Sequence, residues 1–340
     1  MDTTTKANET LKKVYGHHAF RPGQQELVEG LLNGRDVLGV MPTGSGKSLC
    51  YQIPAMLLPG TTLVISPLIS LMKDQVTALK LRGVSAAFLN SSMDDEDYRE
   101  TAFQAASGMY KILYVAPERL QAPGFLEMCR HMEIPLVAVD EAHCISQWGQ
   151  DFRPSYLKIP DFTASLPKRP ILGAFTATAT PNVRKDILDN LKLREPVIAA
   201  TGFDRPNLSF SVYQPKDRDK ALSELLRDRY RQSGIIYCAT RKNVESVCAQ
   251  LDGEGFSVTR YHAGLDAENG ERTRRISCLT GNGLWSLQTP SEWESINPMC
   301  PTSSTITCPR AWRRITRKPG VPDGTAVTRT VFCFMHRRTS

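Results

Sequence analysis

Met41, Pro42, Thr43, Gly44, Ser45, Gly46, Lys47 and Ser48 form a run with the chemistry of a phosphate cradle. Two glycines let backbone N–H groups around Gly44 to Lys47 point at phosphate oxygens. Lys47 reaches the β/γ pair, and the Ser48 hydroxyl is placed to sit on Mg²⁺. Thr43 through Ser48 are therefore candidate ligands of a nucleoside triphosphate. The strict phosphate-loop pattern has a glycine where this chain has Met41, so the flanking elements must support the assignment.

About ninety residues further on, Asp140, Glu141, Ala142 and His143 follow the apolar run Leu136–Val139. Two carboxylates at the carboxyl edge of a sheet that also carries a phosphate loop have a defined chemistry. Asp140 binds Mg²⁺ directly or through water, with Ser48 as the second protein ligand, and Glu141 orients or deprotonates the attacking water. An isolated Asp-Glu pair is more often an acidic helix cap, and the upstream loop reverses that weighting. Taken alone, His143 is a surface or core histidine. Ahead of the loop, Phe20, Arg21, Pro22, Gly23 and Gln24 lie where Arg21 and Gln24 can fold back on a base, and the Gln24 amide matches an adenine edge.

The elements that must position these residues are legible in the apolar pattern. Asp36 to Val40, Thr61 to Ser66, Ser85 to Leu89, Lys111 to Ala116, Pro135 to Asp140 and Ile171 to Thr176 are short apolar runs separated by amphipathic stretches. Runs such as Leu136, Val137, Ala138, Val139 are continuously apolar, as parallel strands covered on both faces require. The fold class is α/β, a parallel sheet with helices on either side. A second, similar unit begins after Phe203, Asp204, Arg205, Pro206 and Asn207, with a helix over Lys220 to Arg231, a strand over Gly234 to Cys238, a helix through Leu251 and a strand ending at Tyr261.

Composition bounds the rest. The 340 residues are 41% hydrophobic, enough for two domains. No apolar run approaches a membrane span, and the N-terminus is polar, so a cytoplasmic, monomeric protein with no membrane partner is expected. Nine cysteines without CxxC pairs read as free thiols. Of the net charge of +7, the last 65 residues (276–340) hold +5 and the first 275 only +2. Nucleic-acid binding must therefore be argued from sites and not from net charge.

The set FRPGQ (20–24), MPTGSGKS (41–48), SPLISLMKDQ (66–75), APERL (116–120), DEAHCISQWGQDFRPSY (140–156), FTATAT (175–180), FDRPN (203–207), IIYCATR (235–241) and YHAGL (261–265) resembles the RecQ-type DNA helicases, colinearly over about residues 9 to 275. The resemblance implies two RecA-like domains of helicase superfamily 2, at 1–200 and from 201. It further implies ATP- and Mg²⁺-dependent 3′ to 5′ unwinding of DNA carrying a single-stranded 3′ tail, in recombination and repair. It adds His143 to the catalytic set of Lys47, Asp140 and Glu141, and makes Thr176, Ala177 and Thr178 the link between the ATP site and DNA. Trp148 and Phe152 then read as stacking residues for single-stranded DNA, Arg153 as a contact to phosphate or to the ATP site, and Ser66, Lys73 and Arg119 as phosphate contacts.

After Arg272 to Arg275 the resemblance stops. The family's VMVAT, AFGMGI and QExGRAGRDG runs are missing, replaced by three tryptophans, six prolines and four cysteines in 276–340. Joining the third codon base of each residue to the first two of the next restores them. Ile315 to Ala326, read from Arg314, permits YYQEAGRAGRDG; Leu284 to Pro298, read from Gly283, permits VMVATNAFGMGINKP; the run from Phe332 permits LLYAS. Residues from about 276 thus read as an out-of-frame translation. The expectation is an incomplete second RecA-like domain at 201–275 and a disordered tail at 276–340. Cys278, Cys300, Cys308 and Cys333 are spaced too irregularly for a zinc site.

Overall fold

The computed structural model describes residues 2–201 apart from 92 and 150, residues 208–261 apart from 214, 229–233 and 239, and three further stretches at 284–287, 304–307 and 329–334. The chain divides into two compact units, Met1–Phe203 and Asp204–Ser340.

The first unit is built on seven parallel strands: β1 (Val37–Val40), β2 (Thr62–Ile65), β3 (Ala86–Leu89), β4 (Ile112–Val115), β5 (Leu136–Val139), β6 (Ile171–Thr176) and β7 (Val197–Ala200), in the order β3-β4-β2-β5-β6-β1-β7. Strand side chains alternate between faces, so each short apolar run feeds two cores. Leu38, Val40, Leu63, Ile65, Val137 and Val139 enter one cluster. Val37, Val64, Leu136 and Ala138 enter the other. Full burial of such side chains contributes about 1.5–3 kcal/mol each, and polar Thr62 and Thr176 stand only at the ends of β2 and β6.

This order places β6 between β1 and β5, and β5 next to β2. The carboxyl ends of these four strands therefore present Met41, Thr176, Asp140 and Ser66 along one edge. Backbone bonds continue past the strand ends: Met41 N–H donates to the Thr176 carbonyl at 3.0 Å, and Asp140 N–H to that of Ile65 at 2.9 Å. Two elements that the apolar pattern did not single out precede the sheet. They are the helix Thr3–Thr10 and a π-helical turn Leu11–Tyr15, whose Ala7 and Leu11 pack with Val28 and Ile53.

In the second unit, β8 (Leu208–Tyr213), β9 (Gly234–Tyr237) and β10 (Val258–Tyr261) alternate with the helices Arg218–Arg227 and Arg241–Gly253. Asp217 and Thr240 cap these helices by accepting from the N–H groups of Lys220 and Asn243. Leu222, Leu226, Ile236, Val244, Leu251 and Phe256 form the local core.

The tail departs from expectation at three places. Leu284–Leu287 (β11), Ser304–Thr307 (β12) and Arg329–Phe334 (β13) are strands, and the second sheet runs β10-β11-β9-β12-β13-β8, all parallel. An unstructured tail and a sheet limited to residues before 275 are thus corrected at these stretches. The physical reason is local: LWSL, STIT and RTVFCF concentrate the aromatic, aliphatic and β-branched types that suit a pleated surface, whatever reading frame produced them. LWSL begins where the alternative frame permits VMVA, and RTVFCF overlaps the run that permits LLYAS. The segments 203–207 and 262–265, the basic run 272–275, and Cys278, Cys300 and Cys308 lie outside the described residues.

Candidate nucleotide and nucleic-acid site

The phosphate loop leaves β1 and turns into the helix Lys47–Leu57, with Gly44 at φ 81° and Gly46, the residue before the helix, at φ 83°. Both conformations favour glycine. A Cβ on Gly46 would also stand 2.5 Å from the Gln24 amide nitrogen, so a side chain there would displace the Gln24 carboxamide from the loop. Met41, in place of the usual glycine, is buried in the core under the loop, with its sulfur 3.9 Å from that of Cys50. An apolar side chain is tolerated there because it points into the sheet's core and away from the cradle. Lys47 Nζ donates to the Met41 carbonyl at 3.3 Å, and Thr43 and Ser48 are half-buried beside it.

Gln24 and Arg21 lie against the loop itself. Gln24 Nε2 donates to the carbonyls of Ser45 (2.9 Å) and Gly46 (3.1 Å), and its Oε1 accepts from Arg21 N–H (2.8 Å). Arg21 donates from its guanidinium to the Gly44 carbonyl at 2.7 Å. In this structure the Gln24 amide thus braces the cradle, and an adenine edge would take over bonds that the loop now holds.

Asp140 and Glu141 follow β5. Asp140 is buried, and its carboxyl is pushed up to about 7 by loss of solvation and by the neighbouring Glu141, against the opposing pull of Lys47 and His143. The buried Asp140 carboxylate beside the half-buried Glu141 offers the oxygen ligands that a hard divalent cation takes. Glu141 adopts a left-handed backbone (φ 47°, ψ 44°), unusual for a non-glycine residue, and its N–H donates to Asp140 Oδ1 at 3.0 Å. Its carboxylate lies 3.1 Å from His143 Nδ1, which is also 2.9 Å from the Thr176 hydroxyl. That hydroxyl donates to the Thr178 carbonyl (3.1 Å) and accepts from Thr178 N–H (3.2 Å). Five of the residues proposed from sequence (Asp140, Glu141, His143, Thr176 and Thr178) therefore form one connected polar chain.

Beyond the carboxylates, the chain makes a buried 3₁₀ turn, Ala142–Ile145, and then a loop that exposes Gln147 and Trp148. Trp148 is 76% exposed, and Phe152 is half-buried beside it in sequence. The loop is nevertheless anchored. The Ser146 hydroxyl donates to Asp186 at 2.6 Å and accepts from Trp148 N–H at 3.2 Å. Arg153 donates to the Pro67 carbonyl at 2.9 Å and pairs with Asp151 at 3.2 Å, tying the loop to the segment after Ser66. Gly149 folds back so closely that a Cβ would meet the His143 carbonyl at 2.5 Å. The Ser146–Asp186 anchor and the Gly149 contact were not read from sequence; the one available signal was a glycine beside an exposed tryptophan.

The remaining candidates are dispersed. Ser66 is buried with a hydroxyl that has no hydrogen-bond partner, while Lys73 is exposed on the helix Ile69–Leu81. The Arg119 guanidinium sits 4.8 Å over the Tyr98 ring and donates to the Asn90 carbonyl at 3.4 Å, so it is held by its own unit. Among the described residues no group of three or more His, Cys, Asp or Glu is arranged to hold a metal ion, and no helix is long and apolar enough to cross a membrane.

The DEAD/DEAH box helicase family matches residues 21–187. "ATP-dependent DNA helicase RecQ" of Pasteurella multocida is 43% identical over 79% of this chain and 42% of its own length. The protein of the same description from Bacillus subtilis is 43% identical over 76% of this chain and 44% of its own. The chain thus spans less than half the length of these relatives. Among solved structures, Mss116p bound to ssRNA and AMP-PNP superposes with a TM-score of 0.75 at 14% identity, covering 98% of this chain and 73% of that one. The Mycobacterium smegmatis helicase Lhr bound to ssDNA and AMP-PNP gives 0.70 at 17%, covering 99% and 48%. At these identities the structures establish the fold. Phosphate loop, paired carboxylates and the extended sequence identity converge: the first unit carries a DEAD/DEAH box helicase match, and the chain is similar to RecQ-type DNA helicases over about four fifths of its length.

Proposed function

We propose that the first unit binds ATP·Mg²⁺ and single-stranded DNA, and that the family activity behind this sequence is 3′ to 5′ DNA unwinding in the cytoplasm by a monomer. The observation that carries the reading is the carboxyl edge of the first sheet. There the phosphate loop after β1 and the carboxylates after β5 flank β6, whose Thr176 is bonded to both sides.

The residues present fit Mg²⁺ and a triphosphate. The left-handed glycines leave a cradle that no Cβ fills, and Asp140 is a desolvated carboxyl whose charged form lacks a counter-cation of sufficient charge. Ser48 and Asp140 would hold the metal. When bound, Mg²⁺ supplies neutralisation of the β/γ oxygens. Lys47 leaves the Met41 carbonyl, a weak neutral partner, for phosphate. Glu141 must turn from His143 to hold a water for in-line attack, and His143 then keeps its bond to Thr176. Trp148, on the exposed loop anchored through Ser146 and Arg153, stacks on a base. Loop movement reaches Glu141 through the short segment between them. Ser66, Lys73 and Arg153 supply polar and charged contacts on the same unit.

A second reading has its own support. The colinear match ends near residue 275, before the arginine-bearing GRAGRDG run that the alternative frame restores. We infer that this 340-residue product is a nucleotide- and weak DNA-binding module with little turnover, since an arginine supplied across an ATP site is worth roughly a thousandfold or more in hydrolysis. Titration with a fluorescent ATP analogue, followed by DNA-stimulated ATPase assays on this chain and a frame-restored one, tests both readings. Absence of nucleotide binding would remove the first; turnover equal in the two proteins would remove the second.

A further inference from the structure

Gln52 is 3% exposed, one turn beyond Lys47 and Ser48 on the helix Lys47–Leu57. Its carboxamide is engaged at both ends. Nε2 donates to Gln75 Oε1 at 2.9 Å and to the Tyr114 hydroxyl at 3.0 Å, and Oε1 accepts from the Tyr15 hydroxyl at 2.8 Å. The three partners come from three elements: the N-terminal turn Leu11–Tyr15, the helix Ile69–Leu81, and β4. A buried amide bonded this way has one orientation, and a movement of either helix must strain or break its bonds.

The position of this junction gives it a role. Lys47 and Ser48 begin the Gln52 helix, so a shift of the helix when phosphates are bound carries Gln52 with it. Gln75 lies two residues after Lys73, on the helix that follows Ser66 and Pro67, the segment held by Arg153. The path runs behind the sheet edge and uses neither Glu141 nor Thr176. We propose that Gln52 is a positioning residue which couples nucleotide binding to DNA binding through Gln75. The inference rests on the proposed function, since it joins the two ligands named there.

The test measures the affinity of a fluorescent ATP analogue for the full chain with and without a saturating oligothymidylate, and the affinity for each ligand alone. In the parent, DNA changes nucleotide affinity by about fivefold or more, the lower end of common coupling strengths. Gln75→Met brings this ratio to within about twofold of one while each separate affinity stays within about twofold of the parent. Gln75→Glu keeps an acceptor for Gln52 Nε2 and retains the parental ratio, which a merely space-filling role would not distinguish from Met. Tyr15→Phe, which frees the other end of the same amide, also lowers the ratio and serves as the independent variant. A parental ratio in Gln75→Met, or a ratio of one in a parent that binds both ligands, overturns the inference and leaves the proposed function standing. A parent that binds neither ligand overturns both.

Discussion

Lys47, Asp140 and Trp148 carry three different kinds of consequence. Lys47 donates only to a backbone carbonyl, so Lys47→Ala should leave the unit folded and abolish nucleotide binding; a titration showing unchanged affinity would sink the assignment. Asp140 carries a folded-state value of about 7 against an ordinary 3.8, so the folded protein holds a proton that the unfolded chain has released between those limits. Stability is therefore lost as pH rises from about 4 through 7. Asp140→Asn should have the higher melting temperature at pH 8, with the difference closing toward pH 4, and should lose Mg²⁺-dependent nucleotide affinity. Thermal melts across that range check the sign. Trp148, being exposed, should contribute to DNA and not to folding. In the frame-restored protein, Trp148→Ala should weaken DNA stimulation by the equivalent of about 1–3 kcal/mol of stacking and leave ATP binding intact. An unchanged response to DNA would make the loop ordinary packing.

Strands and their junctions set what each unit can withstand. In the first unit, Asp36 sits just ahead of β1 and is 3% exposed. It accepts two bonds from Arg169 (3.1 and 2.7 Å), one from Leu172 N–H (2.9 Å) and one from Arg194 N–H (2.7 Å). It fixes the start of β1 against β6 and against the turn before β7. Removing one partner strands the others, so Asp36→Ala should cost about 3–5 kcal/mol in urea unfolding of the first unit. In the second unit, β8, β9 and β10 make no pair with one another; each is joined through β11, β12 or β13. Deleting residues 276–340 should therefore abolish amide-exchange protection in 208–261 while leaving that of 2–201 unchanged. Protection retained in β9 after deletion would show that the tail strands are dispensable.

At the scale of the molecule, helicase action requires two complete RecA-like domains that open and close around nucleotide. The first unit has its phosphate loop, its carboxylates and Thr176 along one sheet edge, whereas the second draws half its strands from residues that read out of frame. Restoring the frame near codon 276 should recover ATPase and 3′ to 5′ unwinding, measured by strand displacement on a 3′-tailed duplex. Full activity in the 340-residue chain itself would show that the out-of-frame residues cost nothing.

The first unit's six strands from β1 to β6 were legible in sequence because each is a continuously apolar run that only a doubly covered parallel strand can bury. The glycine loop and the Asp-Glu pair were legible because phosphate and metal chemistry restrict residue type so tightly. β7 and β8 were missed: VIAA and LSFSVY are short and mixed, and pairing with a neighbour decides their conformation. The tail strands were missed for the opposite reason, since a composition unlike a folded domain hid short β-prone runs that acquire structure only by joining β8, β9 and β10. Side-chain networks were the least legible of all. That Gln24 braces the loop, that Glu141 rests on His143, and that Gln52 joins three elements depends on distances between residues far apart in the chain. Sequence determined which chemistries this protein holds. The strand order, which alone brings the ends of β1, β6, β5 and β2 to one edge, decided how they meet.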